Sequence, residues 1–341
     1  MDQLTERELR VLEAVVQTYI ETAEPAGSQT IARRFGLGVS PATIRNTMSE
    51  LEEKGFLFHP HTSAGRIPTD RAYRVYVNEI MRLAPPPTEV RHALEEQIAG
   101  PRTTVDEILR RAAQVLGVLT QELGVAVAPA IEEMVLERLE LLPVSSERLL
   151  LVFNLRSGIV RTIFVEVPAA VRPETVQEVA RVLNERLAGH TLRQIRATLP
   201  DRLRDAGEPG SGRELLNIFI AEAEGIFAGE QDTVLLGSAQ MLADQPEFAA
   251  SNARMRELLE LTETRETLAS ALDARSRLGV TVTIGGENAD PRLAWFTLVT
   301  SSYRTGEAAG VIGVMGPTRM PYDKIVSLVD HTSRLVEGLL S

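Results

Sequence analysis

The sequence predicts an α+β fold divided among more than one domain. The chain has 341 residues, and domains of about 150 residues each favour two to three of them. Strand-like segments precede and follow a mostly helical stretch in the second half of the chain, as in an α+β domain with an insertion. The prolines at Pro85–Pro87 cannot continue a helix, so they predict a linker between an N-terminal domain and the rest.

Composition excludes several classes of protein. The chain contains no cysteine and five histidines, which excludes disulfides, thiolate metal centres and cysteine nucleophiles and disfavours a histidine-rich metal site. No apolar run approaches the roughly 18 residues of a membrane span. The first residues, Met1 to Glu6, lack the basic and apolar regions of a signal peptide. We therefore expect a cytoplasmic protein that does not bind membranes.

Charge is distributed unevenly along the chain. The formal net charge is −11, but residues 28–74 carry seven basic and four acidic side chains, a net charge of +3. Because salt screens each charge beyond about 8–10 Å, a local positive patch on an acidic protein can still bind phosphates. This segment is therefore a candidate for nucleic-acid contacts.

The first 84 residues predict four helices and a two-stranded hairpin. Thr5-Glu-Arg-Glu8 is a capping box that begins the first helix, and Ser28 can cap the second. Ser40-Pro41 is a strong start signal for a third helix, which Gly55 ends. The remaining segments are strands at residues 56–58 and 66–68 and a helix at residues 70–83.

The third helix presents a polar face suited to DNA. With Ile44, Met48 and Leu51 turned inward, small and polar side chains remain outside. Arginine can pair with guanine, asparagine with adenine, and the threonine methyl group with thymine. A helix–turn–helix protein places such a second helix in the major groove, whereas the alternative is an ordinary solvated helix face. The candidate DNA-reading residues are Ser40, Ala42, Thr43, Arg45, Asn46 and Ser49.

The hairpin that follows strengthens the DNA-binding interpretation. A short basic hairpin directly after a recognition helix is the wing of a winged helix, and it can reach the minor groove or flanking phosphates. Metal binding by its two histidines is the alternative, but no third His or Cys lies nearby. The candidate wing and phosphate-contacting residues are Ser28, Arg33, His59, His61, Thr62, Ser63 and Arg66.

Helices and strands follow in blocks beyond the proline linker. A second capping box, Thr104-Val-Asp-Glu107, begins a helix whose apolar residues continue to Leu123. Strands are predicted at residues 136–142, 149–153, 159–167, 280–284, 295–301 and 310–315, and helices within 173–227, at 253–272 and at 322–340. The segment 214–227 is apolar over a wider sector than one buried helix face requires.

No enzyme template matches the sequence. The glycines between Gly306 and Gly316 fit neither G-x-G-x-x-G nor a phosphate-binding loop, and they more often mark close packing of a strand. The sequence also lacks G-x-S-x-G and H-E-x-x-H motifs. Arg319, between a strand and the last helix, could line a pocket, but a helix-capping turn is the simpler interpretation. We expect neither an enzyme nor a cofactor.

Six segments distributed over the chain carry specific motifs. They are Thr5–Thr22, Ser40–Met48 (S-P-A-T-I-R-N-T-M), His61–Asp70 (H-T-S-A-G-R-I-P-T-D), Gln245–Phe248, Ile284–Asn288 and Gly310–Tyr322. With these motifs the chain resembles the HrcA family, the heat-inducible transcription repressors of bacteria. The resemblance spans nearly the whole chain, and the string from His61 to Asp70 is far more specific than the hydrophobic pattern of a general winged helix.

The resemblance implies a fold in three parts. A winged-helix DNA-binding domain occupies residues 1–84, and a linker with a connecting helix occupies residues 85–101. A GAF-like α+β domain occupies residues 102–169 and 241–341, with a mostly helical dimerisation domain inserted at 170–240. The wide apolar sector then becomes a candidate dimer surface, with Leu215, Ile218, Phe219, Ile226 and Phe227 as its residues.

The resemblance also implies a function. A homodimer would bind double-stranded DNA at an inverted-repeat operator of chaperone operons, and its activity would depend on the chaperonin GroEL, which heat diverts to unfolded proteins. One alternative is a ligand-sensing regulator whose GAF-like domain holds a small-molecule pocket. Another alternative, an enzyme with an accessory DNA-binding domain, has no supporting motif.

Overall fold

The computed structural model describes most of the chain and divides it into two compact units. The described residues are 4–60, 65–100, 105–129, 131–156, 159–168, 171–206, 211–227, 234–249, 251–263, 265–273, 275, 279–306 and 308–340. Unit 1 comprises Met1–Val127, Val234–Tyr303 and Val311–Val336, and unit 2 comprises Ala128–Thr233, Arg304–Gly310 and Glu337–Ser341. Within the described part of the chain, no helix combines the length and the apolar character needed to cross a membrane.

The elements of the described residues are numbered here in chain order. The helices are α1 (Glu6–Thr22), α2 (Ser28–Phe35), α3 (Pro41–Glu53), α4 (Asp70–Val75), α5 (Thr88–Ile98), α6 (Val105–Thr120), α7 (Pro173–Leu187), α8 (Leu192–Leu203), α9 (Ser211–Ala221), α10 (Ala223–Phe227), α11 (Gln240–Ala243), α12 (Pro246–Ala249), α13 (Asn252–Glu263), α14 (Arg265–Asp273) and α15 (Tyr322–Leu339). The strands are β1 (Leu57–Phe58), β2 (Ile67–Pro68), β3 (Leu123–Val127), β4 (Leu136–Ser145), β5 (Arg148–Leu155), β6 (Val160–Glu166), β7 (Val234–Leu236), β8 (Thr281–Ile284), β9 (Phe296–Thr305) and β10 (Ala308–Pro317).

The N-terminal part of unit 1 is built from α1 to α4 and the β1–β2 hairpin. Thr5 forms the capping box of α1 with Glu8, as the sequence predicts. Apolar side chains of the first three helices are fully buried and form a common core, among them Leu12, Ile31 and Ile44. The helix that begins at Asp70 is shorter than predicted, because α4 continues as one π-helical turn over Tyr76–Ile80 and then ends.

The remaining part of unit 1 contains a sheet whose described strands have the order β7-β3-β10-β9-β8. Strand β3 pairs antiparallel with β10 and with β7, and β8 pairs antiparallel with β9. Every residue of β3 is buried, so this strand lies in the interior of the unit. Close strand packing explains Gly313 of β10, since a Cβ there would overlap the backbone of β9.

Strand β3 differs from the sequence prediction, which continued the preceding helix to Leu123. The structure ends α6 at Thr120, and Gln121 adopts a left-handed conformation with φ of 60°. A Cβ on Gly124 would overlap the backbone of Ala113 in α6, so the strand packs directly on that helix. Helical spacing of leucines cannot distinguish these cases, because a short apolar run fits a buried strand equally well.

Unit 2 combines a three-stranded antiparallel sheet with helices. Its described strands have the order β4-β5-β6, and one side of the sheet shares a hydrophobic core with helices α7 to α10. The predicted inserted domain begins at residue 170, whereas the compact unit begins at Ala128. The difference has a physical cause: inward side chains such as Leu139, Leu151 and Phe153 pack with those helices, so strands and helices form one core.

Candidate nucleic-acid interface

Helix α3 begins at the predicted position. The Ser40 side chain accepts a hydrogen bond from the backbone N–H of Thr43 at 3.2 Å, and Pro41 occupies the first helical position. Such a cap satisfies one of the N–H groups that have no partner within the helix. Ile44, Thr47, Met48 and Leu51 form the buried face of α3, which fixes the side that the helix turns to solvent.

The outward face of α3 contains the predicted DNA-reading residues. Ala42, Arg45 and Asn46 are exposed, and neither Arg45 nor Asn46 is turned into the protein interior. Ser40 is also exposed, whereas Thr43 and Ser49 are partly buried. The Ser49 hydroxyl donates to the carbonyl of Arg45 at 3.2 Å, and the Thr43 and Ser40 hydroxyls lie 3.0 Å apart. The side chains best able to contact bases are therefore Arg45 and Asn46.

The charges of α3 favour one end of the helix as the end that faces a polyanion. Arg45 lies in the first half of the helix, and Glu50, Glu52 and Glu53 lie in the second half. The positive end of the helix dipole coincides with the arginine. Phosphates would be attracted to the N-terminal half of α3 and repelled by its C-terminal half.

The β1–β2 hairpin is fixed beside α3 by its base. Leu57 pairs with Pro68 and Phe58 with Ile67, and Ala26 and Arg66 exchange two backbone hydrogen bonds of 2.9 and 3.0 Å. A Cβ on Gly65 would lie 2.5 Å from the carbonyl oxygen of Pro25. Only glycine permits this close approach, so the loop before α2 holds the hairpin at a fixed position.

Arg66 and His59 make contacts within the protein at the base of the hairpin. Arg66 Nε lies 2.7 Å from Glu52 Oε2, an ion pair between the hairpin and α3. A terminal nitrogen of Arg66 donates to His59 Nδ1 at 2.8 Å. Arg66 therefore connects the hairpin to α3 and to His59, and the predicted phosphate contacts of Arg66 and His59 stay predictions.

The other predicted phosphate contacts have mixed outcomes. Arg33 is exposed on the last turn of α2. Ser28 is only 7% exposed, and Gly27, not Ser28, is the N-cap of α2. A buried hydroxyl inside the first turn cannot reach a phosphate, so the prediction for Ser28 is wrong on both points. His61, Thr62 and Ser63 lie outside the described residues, and with them the tip of the hairpin.

Two arginines beside this surface were not singled out from the sequence. Arg7 and Arg10 are exposed on α1 and line a shallow cleft of about 210 Å³ with Leu37 and Val39, in the loop that leads into α3. Their separation of three residues places both on one helix face. The three-residue spacing was the only sequence signal for this pair, and it is common on solvated helices. The pair becomes a candidate because the loop that leads into α3 lies beside it.

The predicted dimer-interface residues lie inside one chain. Leu215, Phe219, Ile226 and Phe227 are at most 2% exposed and belong to the core of unit 2. Ile218 is partly buried against the same core. The prediction is therefore wrong for this surface: the helices are apolar over a wide sector because they pack against the sheet and against each other.

The outer side of the β4-β5-β6 sheet is the exposed apolar surface of unit 2. Leu142, Leu150 and Phe164 are aligned across the three strands, and Leu142 and Phe164 are 46% and 59% exposed. Val152 lies in the next row and Val160 at the end of β6. We call this set the outer sheet face. A cluster of this kind on a sheet is more typical of an interaction surface than of solvent-exposed structure.

A cleft of about 510 Å³ lies within unit 1. Residues from the N-terminal helices, such as Tyr19, Tyr73 and Arg71, line it together with Arg254 and Trp295. Arg319, which the sequence offered as a possible pocket residue, also lines the cleft. The hydroxyl of Tyr73 is buried and has no hydrogen-bond partner among the described residues. Among these residues no cluster of His, Asp or Glu could hold a metal ion.

Comparison with known proteins gives one consistent family. The family model described as "HrcA protein C terminal domain" matches residues 106–326. The heat-inducible transcription repressor HrcA of Chlorobium phaeobacteroides (strain BS1) is 36% identical, with 99% of each chain covered. The protein of the same name from Chlorobaculum tepidum is 37% identical over 99% of this chain and 98% of its own length.

A solved structure supports the fold. The chain is similar to the protein described as "Crystal structure of a hypothetical protein at 2.2 A resolution", with a TM-score of 0.64, 24% identity and 99% of each chain covered. Two findings determine the family of this chain: relatives at this identity match it over nearly its full length, and the family model matches more than half of it. The chain belongs to the HrcA family, a family of heat-inducible transcription repressors and not of enzymes.

Proposed function

We propose that this protein represses transcription by binding double-stranded DNA through α3. The observation that carries the proposal is the exposure of Arg45 and Asn46 in the N-terminal half of a helix whose other face is buried. Arginine and asparagine have the hydrogen-bond geometry to read guanine and adenine in the major groove. Arg33, together with Arg7 and Arg10, would contact the flanking phosphates.

The N-terminal part of unit 1 is best described as a winged helix. Three helices with α3 as the recognition helix, followed by a two-stranded hairpin, support this description. The brace from Arg66 to Glu52 would keep the wing in a fixed position relative to the recognition helix. His61, Thr62 and Ser63, which lie between β1 and β2 in the sequence, remain candidates for the minor groove or the phosphate backbone.

The C-terminal part of unit 1 is a candidate GAF-like domain, with unit 2 inserted into it. The sheet of unit 1 supports this arrangement. Its strands β3 and β7 are neighbours in the sheet, but strands β4 to β6 and helices α7 to α10 lie between them in the sequence. In the proposed function, this domain carries the winged helix and unit 2 joins two copies.

The protein would act as a homodimer on an inverted-repeat operator, since a two-fold protein matches a two-fold site. With the predicted helices buried, the outer sheet face is the surface we propose for a second copy. Leu142, Phe164 and Val160 are apolar and exposed. Glu140 lies in the row of Val152, and Arg138 lies in the row of Val160. Opposite charges beside an apolar centre suit an interface in which each patch contacts its own equivalent.

Regulation by heat is part of the proposal because the relatives are named heat-inducible repressors. We infer that the repressor loses its active conformation when the temperature rises and that the chaperonin GroEL restores it in the cytoplasm. Modest destabilisation is enough for such a response, since about 1–2 kcal/mol changes the folded population of a marginal protein severalfold.

A footprint on the DNA upstream of its own gene tests the proposal. We expect protection of an inverted repeat by the purified full-length protein, with an affinity that falls steeply as salt is increased. Protection without sequence preference, or none at low salt, would contradict a DNA-reading role for α3.

The cleft in unit 1 supports a second candidate function, sensing of a small molecule. Trp295 is half exposed there and stacks on the guanidinium of Arg254, 4.5 Å from the ring centroid, and the unpartnered Tyr73 hydroxyl lies at its wall. The volume is within the usual range for ligand sites. A metabolite that raises the melting temperature of the wild-type protein and alters operator affinity would favour this function; a screen without any stabilising compound would count against it.

A further inference from the structure

Two pairs of sequence motifs make contact within unit 1. The end of the hairpin motif at Asp70 contacts the Ile284–Asn288 motif, and Arg319 of the Gly310–Tyr322 motif contacts the Gln245–Phe248 motif. We call these contacts the junction. They connect the N-terminal helices (residues 6–80) with the remaining part of unit 1.

Helix α4 makes the first contact of the junction. Its first residue, Asp70, accepts a hydrogen bond at 3.1 Å from the backbone N–H of Gly286. One turn later, Arg74 donates through Nε to Glu287 at 2.7 Å and through a terminal nitrogen to the carbonyl of Val282 at 2.7 Å. Burial would raise the pKa of Glu287, but the Arg74 guanidinium and the Ile284 N–H lower it. The contact is therefore an ionised pair.

The loop that receives α4 is shaped by its own hydrogen bonds. The buried side-chain amide of Asn288 donates to the carbonyls of Gly285, Leu293 and Phe296 at 2.8–3.0 Å. Gly285 has a φ of 52°, and a Cβ there would overlap the Asp70 carboxylate. Glycine is required both for the conformation and for the close approach. The loop therefore presents a rigid receiving surface to α4.

Arg319 makes the second contact, to a different helix. Its guanidinium donates to the carbonyl of Ile20, in the last turn of α1, at 2.8 Å. It also donates to Glu247 at 2.6 Å and to Gln245 at 2.9 Å. The side chains of Arg319 and Glu247 are only 12% and 17% exposed. A guanidinium shielded from water and fixed by three acceptors holds a helix end at a defined place.

The covalent connection does not fix the orientation of these helices by itself. Residues Met81–Pro87 contain no helix or strand. The three prolines stiffen part of this segment, but its first residues have no such restraint. Contacts on α1 and on α4, with the Tyr73 and Tyr322 rings 5.7 Å apart between them, restrain the N-terminal helices at separate points. Orientation is thus determined by the junction.

We propose that the junction sets the distance and angle between the two recognition helices of a dimer, and so selects the spacing of the operator half-sites. This inference rests on the proposed function. Each added base pair displaces a half-site by about 3.4 Å and rotates it by roughly 35°. A protein with rigidly held recognition helices discriminates against such a change, whereas one with loosely connected helices adapts to it. Asp70, Arg74, Glu287 and Arg319 are positioning residues in this scheme and contact no base.

Operator spacing provides the first test. The inverted repeat found by footprinting is compared with the same repeat lengthened by two central base pairs and with a single half-site. For the wild type we expect at least about tenfold weaker binding to the lengthened repeat. Arg74→Gln should reduce this ratio to about threefold or less, with half-site affinity unchanged, because the DNA-reading face is intact. Arg334→Ala, which removes an exposed pair with Asp330 on α15, is the matched control and should retain the wild-type ratio.

The outcomes separate the two proposals. If the wild type shows no sequence-specific DNA binding, the proposed function fails, and this inference fails with it. If the wild type discriminates spacing and Arg74→Gln discriminates equally well, only the inference is overturned. Asp70→Asn, which removes a charge from the other end of α4, is the second variant, and thermal unfolding identifies any variant that fails to fold.

Distance measurement provides the second test. Because the chain has no cysteine, Glu53→Cys creates a single spin-labelling site at the exposed end of α3. Pulsed electron paramagnetic resonance on the spin-labelled full-length dimer should give a narrow distribution of distances between the two labels. With Arg74→Gln added, the distribution should broaden. An unchanged distribution in a folded variant would overturn the inference.

Discussion

The ammonium group of Lys54 lies 2.6 Å from Oε1 of Glu8 and connects the end of α3 to the first turn of α1. Glu8 is buried and also accepts hydrogen bonds from the backbone N–H and hydroxyl of Thr5 at 2.8 and 2.9 Å. Burial would raise the pKa of Glu8, but the bonds from Lys54 and Thr5 outweigh it and lower the pKa below 4.5. The candidate recognition helix is thus anchored by a charged pair as well as by its apolar face.

Replacement of Lys54 by methionine should destabilise the N-terminal helices. The change leaves the Glu8 carboxylate with its Thr5 bonds but without its cation, at a cost of about 1–2 kcal/mol. Urea unfolding at pH 7 would measure it. Because a depressed pKa stabilises the fold above the unfolded value of 4.5, the difference from wild type should narrow as the pH falls through 4.5. A difference that is independent of pH would contradict the role of this ion pair.

Glu122 should make the protein less stable as the pH rises. Its carboxyl group is buried beside Gly316, and Oε2 has no hydrogen-bond partner among the described residues. Burial raises its pKa well above 4.5, so the folded state retains a proton that the unfolded state releases. Stability is then lost as the pH rises from 4.5 towards the folded pKa.

The Glu122→Gln variant isolates this effect. It should melt at a higher temperature than the wild type at pH 8, and the gain should vanish below pH 4.5, where both forms are neutral. Scanning calorimetry from pH 4.5 to 8 would measure the difference. Glu53→Gln, at an exposed carboxylate, is the control and should show no comparable trend. Equal melting temperatures of Glu122→Gln and wild type at pH 8 would show that ionisation of the buried carboxyl group does not lower the stability of the folded state.

Arg45→Ala and Arg33→Ala should affect DNA binding differently. In the proposed function Arg45 contacts bases, so its loss should weaken operator binding by about 1–3 kcal/mol and relax the preference at one position of each half-site. In the same proposal Arg33 contacts phosphate, so its loss should weaken binding to all sequences alike and reduce the salt slope by about one. Fluorescence anisotropy with operator and scrambled DNA across a salt series distinguishes them. Identical profiles for the two variants would reject the assignment.

Phe164→Lys should separate the proposed dimer. The ring is 59% exposed in one chain, so the substitution should leave the fold of unit 2 intact while placing a charge at the centre of the outer sheet face. Sedimentation equilibrium should then show monomers at concentrations where the wild type is dimeric. Val118→Lys, at an equally exposed apolar position of α6, is the control and should leave the dimer unchanged. If the Phe164→Lys protein is still a dimer, the dimer interface does not lie on the outer sheet face.

Local signals in the sequence determined the beginning of the candidate recognition helix α3 and its outward face. The Ser40-Pro41 cap acts within one turn, and the spacing of Ile44, Met48 and Leu51 fixes which side is buried. The exposed position of Arg45 follows from these two facts alone. For the same reason, most helices and strands were predicted within a few residues, since caps, glycines and apolar periodicity are properties of neighbouring residues.

Tertiary structure decided which apolar surfaces are shared with the rest of the chain and which remain free. Phe219 and Phe164 are both apolar in the sequence, but Phe219 packs between helices and sheet, and Phe164 faces outward. In the sequence Arg66 is simply a basic residue of the hairpin. In the structure its Nε lies 2.7 Å from Oε2 of Glu52. Arg74 and Glu287, 213 positions apart in the chain, have no common local pattern. Side-chain periodicity depends only on the residues of one helix or strand. Burial, ion pairing and the junction depend on which distant helices and strands the fold brings into contact.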